Sequence, residues 1–150
     1  MANKPFRSNF KVHFREADPG GIMFFAHVYQ LAHDTFEEFV EHLGYAHDEW
    51  FSNPRWGTPI RHSEAQHLRP FLAGQRYRIA VHVERVGKSS FTLRYQFTGK
   101  GAAKDELHAD LTLVHTFVSL STHRPSSIPE KIRLRLEAYR AKCTKPIEFT

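Results

Sequence analysis

Asp18-Pro19-Gly20-Gly21 runs directly into Ile22-Met23-Phe24-Phe25. One carboxylate, one proline and two glycines stand at the mouth of the most apolar helical pattern in the chain. The first N–H groups of a helix lack intrahelical acceptors and carry partial positive charge. Glycine lets a ligand oxygen approach the backbone closely. A carboxylate opposite such donors has what is needed to attack a polarised carbonyl: the donors stabilise the developing oxyanion, and the carboxylate serves as nucleophile or base. The same residues also make an ordinary turn in which Asp18 bonds its own backbone. Both readings stay open at this point.

Other chemistries find less support. The chain has eleven His, but His27 and His33 are six apart, while His42 and His47, and His62 and His67, are five apart. None forms an i, i+4 pair with a supporting carboxylate, so no metal is expected. His82, His108 and His115 are expected on strand faces, at the surface or partly buried. There is no G-x-S-x-G elbow, no G-x-G-x-x-G and no phosphate-loop lysine motif. The single cysteine, Cys143, falls in a basic C-terminal helical pattern and is read as structural or incidental.

The elements that must position Asp18 follow from periodicity. Residues 9–15 read as a strand with Phe10, Val12 and Phe14 on one face. Residues 18–21 break it. From Phe25 to Leu43 the apolar positions recur at spacings of three and four, giving one core-facing helix with Gly44 as its stop. Residues 46–51 give a further helical turn, ended by Asn53-Pro54. Residues 59–68 read as extended. Residues 76–86 and 91–97 alternate on either side of a tight Gly87-Lys88 turn, which predicts a hairpin. Gly99-Lys100-Gly101 makes another turn. Residues 107–120 read as one long strand, and Ser127-Ile128-Pro129-Glu130 has capping-box spacing before a last helix built on Ile132, Leu136 and Tyr139. One helix followed by a run of strands predicts an α+β domain over residues 1–150. A single long helix covers one face of the sheet, so oligomerisation is expected to cover the other and to protect its edges.

Composition bounds the setting. The 150 residues are 41% hydrophobic and 25% charged, ordinary globular values with room for one core. Thirteen Phe against two Met predict a stiff aromatic interior. No apolar run approaches ~18 residues, so no membrane span is expected. Residues 1–10 lack the apolar core of a signal peptide, and one cysteine allows no intrachain disulfide; a cytoplasmic location is expected. The net charge of +5 favours anionic partners, although the cations form no dense run.

The stretch FREADPGGIMFFAHVYQLAHDTFEEFVEHLGY resembles the opening of the hotdog-fold acyl-CoA thioesterases of the 4-hydroxybenzoyl-CoA thioesterase family: a strand, Asp-x-x-Gly, a short apolar-aromatic run and the central helix. PIRHSEAQHLRPFLAGQRYRIAVHVERVGKSSFTLRYQF is similar to that family's second to fourth strands, and IPEKIRLRL to its final helix. The resemblance implies one long helix against a five-stranded antiparallel sheet, and hydrolysis of an acyl-CoA to free acid and coenzyme A without a cofactor.

It also implies residue roles. Asp18 occupies the position of the catalytic carboxylate, and Phe25 stands where a backbone N–H polarises the thioester carbonyl. Some branches carry a Tyr-His pair where this chain has Phe24-Phe25, and others have Asn in place of His27, which leaves the job of His27 open between positioning water and packing. His62, Ser63 and Glu64 are candidate pocket walls approaching a partner's Asp18, and Lys88, with Arg85, Ser89 and Ser90, is a candidate for the coenzyme A arm. The rings of Phe24, Phe25 and Tyr29 suit a flat, aromatic acyl group, or else belong to the core or a subunit seam. A homodimer or homotetramer is implied, with no nucleic-acid or membrane partner. Three alternatives remain: a non-catalytic acyl-CoA-binding protein, a thioesterase for short or medium aliphatic chains, and a nucleic-acid binder prompted by the charge alone. A hydratase is disfavoured because that branch's closely spaced Asp–His motif is not found; His27 lies nine residues from Asp18.

Overall fold

A computed structural model describes residues 2–99 and 106–149. Its strands are β1 (Phe6–Lys11), β2 (Trp56–Gly57), β3 (Ile60–His67), β4 (Arg76–Val86), β5 (Ser90–Gly99), β6 (Leu107–Thr116) and β7 (Val118–Ser119); its helices are α1 (His27–His42), α2 (His47–Phe51) and α3 (Glu130–Lys142). The long strands form one antiparallel sheet in the order β1-β4-β5-β6-β3, and β2 pairs with β7 in a two-stranded ribbon. This is the α+β architecture the sequence predicts.

Period-two alternation sets the inner face. Tyr77, Ile79, Val81 and Val83 of β4 and Phe91, Leu93, Tyr95 and Phe97 of β5 are all buried. Against them α1 lays Val28, Ala32, Phe36, Phe39 and Val40. Burial on this scale, roughly 1.5–3 kcal/mol per large side chain, is what fixes the helix to the sheet. Gly44 ends α1 at φ 100°, with Gly44 N–H donating to Glu41 and Tyr45 N–H to Val40, a Schellman arrangement only a residue without Cβ adopts freely.

Several boundaries differ from the sequence reading. The first strand stops at Lys11: Val12 is buried and bonds to the carbonyl of Gln75, the chain turns through a 3₁₀ segment at Phe14–Glu16, and Phe14 is 93% exposed rather than in the core. α1 begins at His27, two residues later than the pattern suggests. The long final strand is broken at Phe117, whose buried ring takes the chain out of the main sheet and into β7. Ser127 does not cap α3; Pro129 stands at the N-cap without a side-chain bond, so the capping box is not formed. The turn expected at Gly99-Lys100-Gly101 lies largely outside the described residues.

The outer face is not left bare. Arg94, Gln96 and Asp110 stand on it, with Arg94 holding Asp110 through Nε at 3.0 Å and Nη2 at 2.9 Å. The segment after α3 crosses this face: the Gln96 amide donates to the carbonyl of Ile147 at 2.7 Å and accepts its N–H at 2.8 Å. The chain's own tail thus supplies part of the cover expected from a second copy. The edge of β3 is different. Seven of its eight side chains are exposed, and its outer ladder has no partner strand among the described residues.

Candidate active site

Asp18 sits at the tip of a small hairpin. Glu16, Ala17 and Asp18 run against Ile22, Met23 and Phe24: Asp18 N–H donates to Ile22 at 2.8 Å, Ala17 bridges Met23, and Phe24 N–H returns to Glu16 at 2.9 Å. Gly21 N–H closes the turn on the Asp18 carbonyl at 3.0 Å. Proline takes the second turn position, where its fixed φ is pre-set, and Gly21 follows at φ 79°, in the left-handed region. The sequence therefore encodes a type I turn with a glycine bulge. The hairpin is tied to the sheet end by Met23 N–H to Phe71 and Ala73 N–H to Gly21.

The two oxygens of Asp18 differ in what they bond. Oδ1 accepts the N–H of Gly20 at 2.8 Å and of Ile22 at 3.3 Å, the turn role. Oδ2 accepts no hydrogen bond among the described residues, and the side chain is exposed. One oxygen fixes the carboxylate and leaves the other without a hydrogen bond among the described residues.

The donors beyond it are arranged differently from a plain helix start. His27, Val28 and Tyr29 N–H groups are already spent on the carbonyls three residues back, Phe24, Phe25 and Ala26. The Phe25 N–H, just ahead of the helix, meets no acceptor among the described residues. Around it lie exposed rings: Phe24 is 51% and Phe25 60% exposed, with centroids 5.0 Å apart. His27 meets Phe24 edge-on at 6.2 Å. Tyr29 is not part of this group; it packs against the core.

The pocket-wall residues on β3 divide between two faces. Ser63 pairs with Leu113, Ala65 with Leu111 and His67 with Ala109, which places them on the helix side. His62 and Glu64, 3.9 Å apart, alternate to the outer side and cannot line a wall with Ser63. His67, missed in the sequence, meets the Phe25 ring edge-on at 5.8 Å. Its signal was its same-face spacing from Ser63. A cavity of about 270 Å³ opens here, between Phe25, Val28, His67 and Phe71.

The coenzyme candidates lie at the far end of the sheet. The Asp18 hairpin docks beside the start of β4, and Gly87-Lys88-Ser89 follows its last residue, roughly 33 Å away at ~3.3 Å per residue. Lys88 and Arg85 are exposed, and α3 grips the turn through Arg133, which donates to the carbonyls of Gly87 at 2.7 Å and Lys88 at 3.0 Å. The Ser90 hydroxyl is committed to Thr116 at 2.7 Å, inside the sheet. Within one chain, then, Asp18 and Lys88 do not meet.

His115 and His82 are buried, against the expectation of surface or partly buried positions. Burial holds both imidazoles neutral, at pKa values of about 4; for His82 the Arg94 charge adds to burial.

A long helix wrapped by a five-stranded antiparallel sheet, with an Asp-tipped hairpin at the helix mouth, is a hotdog domain of the thioesterase kind. A family model described as the thioesterase-like superfamily matches residues 12–136, and the chain belongs to that family. A curated relative from Thermosynechococcus vestitus, named 1,4-dihydroxy-2-naphthoyl-CoA hydrolase, is 30% identical over 108 residues, 69% of this chain and 74% of that protein. One of the same name from Nostoc punctiforme is 27% identical over 135 residues, 90% of this chain and 88% of its own. A Staphylococcus aureus protein solved in complex with CoA superposes with a TM-score of 0.85 at 14% identity, over 99% of this chain and 91% of that one; it shares the fold.

Proposed function

We propose that this chain hydrolyses an acyl-CoA thioester with a flat, aromatic acyl group, and that Asp18 carries the chemistry. The observation behind this is Asp18 Oδ2, which accepts no hydrogen bond among the described residues, on a locked hairpin that leads into Phe25, whose N–H meets no acceptor among them, in a member of a thioesterase family. The Phe25 N–H polarises the thioester carbonyl. Asp18 then either attacks the carbon, expelling the coenzyme thiolate and leaving a mixed anhydride that water opens, or removes a proton from the water that attacks. No cofactor is required in either route.

The acyl preference rests on the exposed Phe24 and Phe25 rings and on relatives named for a naphthoyl thioester. The site is shared between two copies. Antiparallel pairing of the free β3 edges sets the partner's hairpin end beside this chain's Asp18 end, which brings the partner subunit's Lys88 to a coenzyme that its own Asp18 cannot share. Such pairing also satisfies the open β3 ladder.

Thiol release from benzoyl-type and hexanoyl-type coenzyme A thioesters, each beside its N-acetylcysteamine analogue, tests the proposal. Higher kcat/KM for the aromatic group and a salt-sensitive loss on truncation are expected. A clear win for hexanoyl overturns the aromatic pocket. Saturable binding of both thioesters with no release of thiol establishes the non-catalytic reading instead.

A further inference from the structure

The outer face of the sheet holds a cavity of about 350 Å³, enclosed by the start of β1, the middle of β4 and β5, and the C-terminal tail. Four cations line it, Lys4, Arg7, Arg78 and Lys145, together with the neutral groups of Gln96 and Thr98 and without a carboxylate. The acidic residues of this face are engaged elsewhere: Arg94 binds Asp110 and lies within ion-pair range of Glu84 and Glu148. No ion pair reaches the four cations among the described residues. Arg78 Nε is buried and meets no acceptor among the described residues. A buried donor left unpaired is costly, and a native fold normally supplies its acceptor from somewhere. At the neighbouring His82 burial lowers the pKa most, with the Arg94 and Arg7 charges adding to it and Asp110 opposing.

We propose that this cavity is a binding site for a phosphate-bearing small molecule, separate from the Asp18 site. Guanidinium groups on two adjacent strands offer forked donors matched to phosphate oxygens, and Lys4 and Lys145 add charge from the two chain ends. The volume lies within the range of small-ligand pockets. A second copy of this face is a poor occupant, since like charges would meet. The site is on the face away from α1, whereas the Phe25 ring and His67 meet on the helix side. The phosphate belongs either to the nucleotide end of a coenzyme thioester, which this cavity would then hold in place of the partner subunit's Lys88, or to a distinct phosphorylated metabolite.

Calorimetric titration of the full chain with inorganic pyrophosphate, followed in parallel by amide NMR, tests this. Saturable binding is expected, with shifts centred on Gln96 and Thr98. Arg78→Gln is expected to weaken it about tenfold, the loss of one charge-assisted contact. Arg7→Gln, at an exposed position where folding is not at stake, is expected to weaken it several-fold, and Asp18→Asn to leave it unchanged. The proposal is overturned by absence of saturable binding, by undiminished binding in both arginine variants, or by shifts confined to the Asp18 hairpin or residues 87–90. Kinetics of Arg7→Gln then assign the source. A higher KM for the coenzyme thioester alone, with the N-acetylcysteamine analogue unaffected, marks the nucleotide end of the coenzyme. Unchanged KM for both, with pyrophosphate binding weakened, marks a separate phosphorylated ligand.

Discussion

The two ends of the domain are both rich in aromatic residues and use them in opposite ways. At the hairpin end Phe36, Trp50, Phe91, Phe117 and His115 are sealed together; His115 stacks on Phe36 at 4.2 Å and on Phe91 at 5.0 Å, and Trp50 Nε1 is satisfied by Thr58 Oγ1 at 3.0 Å. At the Asp18 end Phe24 and Phe25 stand in the open, next to one another and to His27 and His67. A sequence shows aromatic residues at both ends alike. The fold decides which rings hold the domain together and which are left in the open.

Substitutions should separate the two ends cleanly. Phe36→Ala is expected to have the largest effect, a loss of roughly 3–5 kcal/mol of stability by chemical denaturation, because it opens a cavity against His115 and Trp50. A loss below 1 kcal/mol would mean that the sealed end is not what holds the fold. Asp18→Asn should follow, lowering kcat by ~10²-fold or more with circular dichroism and melting unchanged, since the amide keeps the turn bond but neither attacks nor accepts a proton. Full turnover in this variant sinks the Asp18 mechanism.

Acid should act on the sealed end next. The folded pKa of His115, about 4, lies below its ordinary 6.5, so the unfolded chain binds the extra proton between those values. Stability is therefore complete above about pH 6.5 and falls as pH drops towards 4. Melting followed from pH 7.5 to 4.5 should show the decline, in part shared with His82, and His115→Phe should flatten it; an identical slope in that variant rules His115 out. The smallest effect is expected from Phe25→Ala. Stability should stay within about 0.5 kcal/mol of the parent, while kcat/KM for an aromatic thioester falls roughly five-fold, the scale of one ring contact. An equal fall for a hexanoyl thioester would make the ring a general wall rather than an aromatic selector.

Legibility in the sequence tracked local pattern. β4, β5 and α1 were readable because burial repeats at the period of the element, and the Asp18 turn because Pro and Gly each force a backbone geometry. Phe14 misled because it continues the alternation of Phe10 and Val12, and only the bond from Val12 to Gln75 reveals where the strand ends. The sequence reading groups His62, Ser63 and Glu64, yet adjacent strand residues face opposite ways. His115 reads as polar, and its burial depends on Thr58, 57 positions away, accepting from Nδ1. The tail carries no periodicity at all. Its course is set by Gln96, whose amide matches the backbone of Ile147 as a neighbouring strand would.

The pairing of Asn3 with Cys143 has a consequence for how the chain can be cut and rejoined. Asn3 N–H donates to Lys142, and Thr144 N–H donates back to Asn3, so the first and last stretches lie side by side. Residues 144–149 then travel no more than about 20 Å at ~3.3 Å each, a distance that a short glycine-serine linker recrosses to reach residue 2. Circular permutation is thus open to this domain, because every strand keeps its neighbours in the sheet when the two stretches are joined.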